Sequence, residues 1–192
     1  MIGTILKITA FLVLAHYVAG FLLKVFSRKS KVYYLAPARQ FGMVFWSAIG
    51  TWLGASILSL IPRAQTDTLL EKGLAAGIGT MLLLFSLPTL FVHFQYWRFE
   101  QESALELDAK SGVALLLRPG HRYYLDAAQV RAVQETKCSS NSFFWSPYKY
   151  LTLTLADGSQ LTITSLLIDL EQLKALWPRV AYSVKTKFIC FL

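Results

Sequence analysis

The chain has 192 residues, of which 55% are hydrophobic and only 16% are charged, and its mean hydropathy is +0.46. Soluble domains carry about 25% charged residues, so this composition argues against a wholly soluble protein. Two cysteines and three histidines are too few for a disulfide framework or a Cys-rich zinc module.

Positive charge is concentrated in the first half of the chain. Residues 1–97 contain eight Lys and Arg residues and two acidic residues, whereas residues 98–192 contain eleven and nine. A nucleic-acid binder gathers its basic residues on a folded surface with exposed aromatics, but here the excess lies between apolar segments. This distribution favours membrane topology over nucleic-acid binding.

Three apolar segments, residues 2–26, 41–61 and 73–92, are predicted to form transmembrane helices. The second and third are uncharged runs of 21 and 20 residues, which at about 1.5 Å per residue cover the roughly 30 Å hydrocarbon core. The first has a shorter uncharged stretch that contains His16, so an interfacial helix is an alternative to a span. A cleaved signal peptide fits less well, because the basic start is weak and no small-residue cleavage site follows.

The loop between the first two segments carries four basic residues and no acidic one: Arg28, Lys29, Lys31 and Arg39. Because cytoplasmic loops are enriched in Lys and Arg, these residues are expected on the cytoplasmic side, at the lipid headgroups. Residues 62–72 are then external, and residues 98–192 are cytoplasmic. We therefore expect a multi-pass protein of the inner (cytoplasmic) membrane.

The second and third segments carry the patterns Gly50-xxx-Gly54 and Gly73-xxx-Gly77. Small residues four apart let helix backbones approach closely, so these four glycines are predicted to pack the two helices together. Homodimerisation through one of the patterns is the alternative.

After residue 98 the pattern changes to short runs rich in Leu, Tyr, Thr and Val, which is typical of strands. We predict strands at residues 104–107, 113–117, 122–125, 130–136, 148–155 and 160–164. Asp157-Gly158 predicts a tight hairpin, and a single amphipathic helix is expected between Ile168 and Pro178. The alternating tail from Val180 to Phe188 fits either an extra strand or contact with a membrane surface.

This order of elements resembles bacterial membrane-anchored pleckstrin-homology-like (PH-like) proteins over roughly residues 41–177. The residues that carry the resemblance are a glycine turn at 110–112, Tyr123-Tyr124-Leu-Asp126, the hairpin of residues 150–158 and Asp169-Leu-Glu-Gln-Leu-Lys174. The resemblance implies a partly open β-barrel of two near-orthogonal sheets, plugged by the helix, and a role in binding or assembly. The predicted fold is three transmembrane helices within residues 1–97, followed by a PH-like domain over residues 98–192 with an apolar tail.

The loop of residues 139–148 contains three consecutive aromatic residues, Phe143, Phe144 and Trp145. Each can bury about 150–250 Å², so the loop folds back on its own domain, enters the headgroup region or docks on a partner. Together with Phe188 and Leu192 of the tail, these residues are the candidate interface.

The titratable residues show neither catalytic-triad nor metal-ligand spacing, so we predict no enzyme, cofactor, metal or small-molecule substrate. Lys110, Arg118 and Arg122 are too sparse for a phosphoinositide site. The leading hypothesis is a membrane protein that contacts lipid and organises or regulates a protein complex, including by self-association. The alternatives are an accessory subunit of a membrane enzyme or transporter, and an immunity-type protein against a membrane toxin.

Overall fold

The computed structural model describes residues 2–26, 32–63, 68–108, 111–139 and 141–192. Over these residues the chain forms four α-helices and a short 3-10 helix: α1 Ile2–Phe26, α2 Pro37–Leu60, Ile61–Arg63, α3 Leu69–Glu100 and α4 Leu170–Lys174. It also forms eight strands: β1 Val32–Tyr33, β2 Ala104–Asp108, β3 Val113–Arg118, β4 His121–Leu125, β5 Val130–Cys138, β6 Tyr150–Leu155, β7 Gln160–Thr164 and β8 Ala181–Lys187.

The described residues divide into two units. The helical unit lies within residues 1–29 and 41–90, and the sheet unit lies within residues 30–40 and 91–192. The residues on both sides of the helix pair therefore belong to one unit. Each unit is described by itself below.

In the helical unit, α2 and α3 approach each other most closely at two glycines. A Cβ atom added to Gly54 would lie 2.8 Å from the carbonyl oxygen of Gly79, and one added to Gly79 would lie 2.9 Å from Cγ of Leu58. Side chains at these two positions would push the helices apart. Gly54 and Gly79 are thus the two residues that allow α2 and α3 to approach each other.

The predicted packing role of Gly73 and Gly77 is wrong within this unit. Both are exposed, and a Cβ atom at either would meet nothing within 4 Å. Positions two apart on an α-helix lie about 200° apart around the axis, so Gly77 and Gly79 occupy nearly opposite faces. Gly50, in contrast, is buried in α2.

Two helices are long and apolar enough to cross a bilayer, namely α2 and α3, with mean hydropathies of 1.5 and 1.9. Both extend beyond the predicted segments: α2 begins at Pro37, where proline suits a first helical turn, and α3 runs from Leu69 to Glu100. In α1 the apolar stretch is Gly3–Ala19, which is shorter than a span, so a third span stays a prediction. His16 of α1 stacks on Phe45, with ring centroids 3.8 Å apart.

The sheet unit contains two four-stranded sheets, in the orders β1-β2-β3-β4 and β7-β6-β5-β8. The six predicted strands are all present, with bounds that differ by at most two residues. The hairpin of β6 and β7 turns at Gly158, whose φ of +84° favours glycine. The tail forms β8, so the extra-strand interpretation is confirmed, and β8 pairs with β5 in parallel.

The core of the sheet unit lies between the two sheets and is closed by α4. The alternating burial of β6 places Leu151, Leu153 and Leu155 inside. Helix α4 has five residues, shorter than predicted, and begins where the Asp169 carboxylate accepts a hydrogen bond from the Glu171 amide. Just after it, Trp177 enters the core and donates its indole N–H to the Gly112 carbonyl oxygen at 3.2 Å.

The sheet unit begins before the helix pair, at β1. The predicted domain boundary at residue 98 is therefore wrong, because it leaves β1 out of the domain. Strand β1 pairs antiparallel with β2, and Val32 lies opposite Glu106. A strand of two residues is too short to leave a period-2 pattern in the sequence. Helices α2 and α3 are therefore inserted between the first two strands of one sheet.

We predict opposite effects of alanine at two glycines of the hairpin. Gly54→Ala should lower the thermal unfolding midpoint in detergent, since overpacking costs about 1–3 kcal/mol. Gly77→Ala should leave the midpoint unchanged or raise it, because its Cβ meets open space and alanine gains up to about 1 kcal/mol over glycine in a helix. Equal effects of the two substitutions would contradict the packing of Gly54 against Gly79.

Candidate functional site

The end of α3 is joined to the sheet unit by a buried carboxylate. Glu100 is 0% exposed, and its Oε1 accepts a hydrogen bond from the Thr164 amide at 2.9 Å. Its Oε2 lies 3.4 Å from Nη2 of Arg118, which also donates to the Thr162 carbonyl oxygen at 2.6 Å. The Arg118 guanidinium is thus engaged in contacts within the sheet unit. A buried charge of this kind is tolerated because it is paired.

The preceding turns of α3 contribute further buried polar side chains. Tyr96 donates its hydroxyl to the Cys190 carbonyl oxygen at 2.9 Å, and His93 Nδ1 and the Tyr148 hydroxyl are hydrogen-bonded at 2.9 Å. Burial raises the pKa of Tyr148 above its ordinary value of 10.0. The last turns of α3 therefore form part of the sheet unit, in contact with the loop before β6 and with the tail.

The predicted candidate interface is only partly at the surface. Trp145 is buried and donates its indole N–H to the Phe188 carbonyl oxygen at 2.9 Å. Phe143 stacks on Trp145 with centroids 4.6 Å apart, and the Phe188 ring contacts both. Trp145 thus folds back on its own domain, which is the first of the three alternatives for this loop. Phe144, Phe188 and Leu192 are exposed.

The tail after β8 is fixed by main-chain hydrogen bonds. The Ser139 amide donates to the Lys187 carbonyl oxygen at 2.8 Å, and the Cys138 thiol donates to the Phe188 carbonyl oxygen at 3.1 Å. Both cysteines are free and buried. Burial first, and the neighbouring Cys138 second, raise the pKa of the Cys190 thiol to about 11. A thiol in this state is a poor nucleophile.

A surface groove runs between α4 and the paired strands β5 and β8, and we call it the α4–β8 groove. It consists of two cavities of about 400 and 520 Å³ that share three lining residues, Glu171, Lys174 and Tyr182. Val133, Trp177 and Val180 line the first cavity, whereas Glu135, Lys149 and Val184 line the second. The groove therefore combines apolar and charged side chains.

The charged part of the groove is an ion network around Glu135, which is only 4% exposed. Its carboxylate accepts a hydrogen bond from the Tyr182 hydroxyl and lies 3.1 Å from Nζ of Lys174 and 3.6 Å from Nζ of Lys149. The more exposed Glu171 contacts the same two ammonium groups, at 2.6 and 3.5 Å. Each lysine thus bridges an inner and an outer carboxylate.

The network keeps Glu135 and Lys174 charged. Burial alone would raise the pKa of Glu135, but the hydrogen bonds from Tyr182 and Lys174 and the charges of the two lysines hold it below 4.5. Burial likewise would lower the pKa of Lys174, but its bonds to Glu171, Glu135 and Tyr182 raise it above 10.5. Glu135 and Lys174 are therefore both ionised at neutral pH.

The network was not predicted, although its residues lie on predicted elements. Glu135 and Lys149 come from β5 and the loop before β6, whereas Lys174 and Tyr182 come from α4 and β8. The parallel pairing of β8 with β5 adds Tyr182 to the lysines and glutamates, which contact one another without β8. Within the described part of the chain, no group of three His, Cys, Asp or Glu residues is placed to hold a metal ion.

None of the other predicted site residues that the structure describes lines this groove. Arg28, Lys29 and Lys31 lie outside the described residues, as does Lys110. Arg39 is half-buried in the sheet unit, and its Nη1 has no hydrogen-bond partner among the described atoms. Gly50 and Gly54 pack within the helical unit.

A family model described as a PH domain matches residues 32–176, which is about three quarters of the chain. The chain therefore belongs to the PH-domain family. The match includes β1, both long helices and α4, and it ends before β8. No curated protein and no solved structure matches the chain. The PH-like part of the resemblance is thus confirmed, while a bacterial source and membrane anchoring stay predictions.

We predict that Arg118→Met destabilises the protein strongly, because it removes the guanidinium beside the buried Glu100. Breaking a buried ion pair from one side costs about 3–5 kcal/mol. The double substitution Glu100→Gln with Arg118→Met should recover part of this loss. Thermal unfolding of the full chain in detergent measures both. A double variant no more stable than Arg118→Met would contradict a coupling between the two side chains.

The low pKa of Glu135 predicts a pH dependence of stability. A carboxylate whose pKa is lower in the folded state stabilises the protein above its unfolded pKa and loses that contribution as pH falls. Glu135→Gln should therefore flatten the decline of the unfolding midpoint between about pH 5 and pH 3. Glu102→Gln, at an exposed position, is the control and should decline like the wild type. Parallel pH profiles for all three proteins would refute the stabilising role of Glu135.

Proposed function

We propose that this member of the PH-domain family is a membrane-anchored interaction protein that holds a protein partner at the bilayer surface. The observation that carries the proposal is the α4–β8 groove, a preformed cleft whose ion network is fixed by the buried Glu135. PH domains are commonly interaction modules for proteins or lipids. The groove's paired ions and apolar side chains suit recognition of a partner.

Membrane anchoring is supported by the exposure of the two long helices. Only 28% and 22% of the most apolar windows of α2 and α3 are buried. The core helix of a soluble domain would be mostly buried, whereas a membrane helix presents its apolar side chains to lipid. Both helices also match the length that a bilayer requires.

The topology of the sheet unit supports placing both ends of the helix pair on one side of the membrane. Residues 30–40 precede α2 and residues 91–192 include the end of α3, yet they belong to the same unit. A hairpin of two spans returns the chain to its starting side. The basic residues Arg28, Lys29, Lys31 and Arg39 favour the cytoplasm as that side.

The groove is suited to an extended polypeptide segment. Strand β8 is the last strand in its sheet, so its outer edge offers main-chain donors and acceptors for strand addition. Tyr182 and Val184 are exposed apolar side chains beside that edge. An acidic side chain of the partner would compete with the exposed Glu171 for Lys174 and Lys149, while the inner Glu135 holds them in place.

A second candidate function, an accessory subunit docked through its helices, is favoured by Gly73 and Gly77. Both are exposed on α3, and a Cβ atom at either would meet nothing within 4 Å. Since neither glycine packs the helical unit itself, the small patch is free to receive a helix of another membrane protein.

The proposal is tested by isolating the tagged full chain from membranes in mild detergent and quantifying co-purifying proteins by mass spectrometry. Val184→Asp places a charge in the groove at a position outside the ion network, and we expect it to abolish recovery of the partner. Tyr124→Asp, at an exposed position on β4 of the other sheet, is the matched control and should retain it. Both variants should unfold within a few degrees of the wild type, because surface changes usually cost under about 0.5 kcal/mol.

Loss of the partner from Gly77→Leu but not from Val184→Asp would favour the accessory-subunit function. A wild-type protein recovered as a monodisperse monomer without any companion would contradict both functions.

A further inference from the structure

We propose that the end of the sheet unit formed by the tail and the aromatic loop lies in the headgroup layer of an anionic bilayer. We call this region the tail edge and define it by Phe144, Phe188, Phe191 and Leu192 with the neighbouring Lys137 and Lys185. The inference rests on the membrane anchoring proposed above and adds a second lipid contact, made by the PH-like domain itself.

The tail edge exposes a cluster of large apolar side chains to solvent. Phe188 is 60% exposed, and Phe144, Phe191 and Leu192 are exposed as well. They come from two segments, the loop after β5 and the chain after β8, that the Phe143, Trp145 and Phe188 contacts hold side by side. Clustered exposed apolar side chains of this kind mark an interaction surface.

The backbone beneath these side chains is fixed. Carbonyl oxygens of the tail accept hydrogen bonds from the Trp145 indole, the Cys138 thiol and the Tyr96 hydroxyl. Cys190 is completely buried between the exposed Phe188 and Phe191. These hydrogen bonds therefore hold the main chain of the tail in place. The large side chains stay exposed and form a preformed apolar surface.

The charges around the tail edge are positive. Residues 136–156 and 172–192 contain no acidic residue. The parallel register places Lys185 beside Thr136 and Lys137 beside Thr186, so the two exposed lysines lie at the same end of the paired strands but on opposite faces of the sheet, with Lys137 on the face of the α4–β8 groove. Lysines near an anionic leaflet strengthen binding to its surface. Exposed aromatic side chains beside lysines match the interface of an anionic leaflet, so the pattern favours lipid as the occupant.

The tail edge is continuous with the helix that carries the second candidate span. The Phe191 ring contacts the Phe91 ring of α3 edge to face, with centroids 5.9 Å apart, and the exposed Phe94 and Trp97 follow on the same helix. Aromatic side chains concentrate where transmembrane helices leave the hydrocarbon. The tail is thus held against the part of α3 that is expected at the membrane surface.

The test is photochemical crosslinking to lipid in the full chain. A photoreactive p-benzoylphenylalanine replaces Phe188, Tyr124 or Leu84 in turn, and each protein is reconstituted into vesicles of phosphatidylcholine alone or with phosphatidylglycerol. Tyr124 is the matched control, because it is 59% exposed but lies on β4. Leu84 is 66% exposed on α3 and reports on the span itself. Lipid adducts are detected by mass spectrometry.

We expect lipid adducts at positions 84 and 188 and none at 124, with the adduct at 188 increased by phosphatidylglycerol. The double substitution Lys137→Gln with Lys185→Gln should remove that increase. Adducts at 84 but not at 188, or equal adducts at 188 and 124, would overturn the tail edge and leave the anchoring intact. Adducts at neither 84 nor 188 would overturn the anchoring as well. A crosslink from position 188 to a protein instead of lipid would assign the surface to a partner.

Discussion

A single buried carboxylate, Glu100, links the longest helix to the β-structure. Removing a carboxylate from water costs several kcal/mol unless partners replace the lost hydration, and here Arg118 and the Thr164 amide do so. These partners belong to β3 and β7, one from each sheet. The helix end thus closes the domain at the point where the two sheets meet.

This linkage explains why the inserted helices do not divide the sheet. Strand β1 pairs with β2 across an insertion of two long helices, and the loop-closure entropy of so long an insertion must be offset by contacts at its ends. The Tyr33 hydroxyl donates to the Gln172 side chain of the α4 turn at one end, and the Glu100 network provides contacts at the other. An insertion whose two ends are both fixed by contacts with the β-structure is compatible with a membrane hairpin inserted into a small β domain.

The local pattern of the sequence predicts most of the elements but few of the contacts between them. Alternation in 150–155 and the Asp157-Gly158 turn identify a hairpin because both signals are local. The glycine spacing indicates a packing helix but does not show which residue faces the neighbouring helix, so the pattern predicts Gly77 where Gly79 packs. The tail's alternation indicates a strand, yet its parallel partner β5 is more than forty residues away. The hydrogen bond from Tyr182 to Glu135 depends on that pairing, and no local signal could have predicted it.

Strand β8 connects the two proposed interactions and lies beyond the residues that the family model matches. Its first half contributes Tyr182 and Val184 to the α4–β8 groove, and its second half leads through Lys185 to Phe188 at the tail edge. Edge strands invite unwanted pairing, and the lysines of β8 are a common protection against it. Lys187 also anchors β8 to Tyr150, and the groove borders the strand. Because β8 is protected from indiscriminate pairing, it is suited to a selective partner. We therefore expect the specificity of this protein to depend on residues 181–192 more than on the part of the sheet unit that the family model matches.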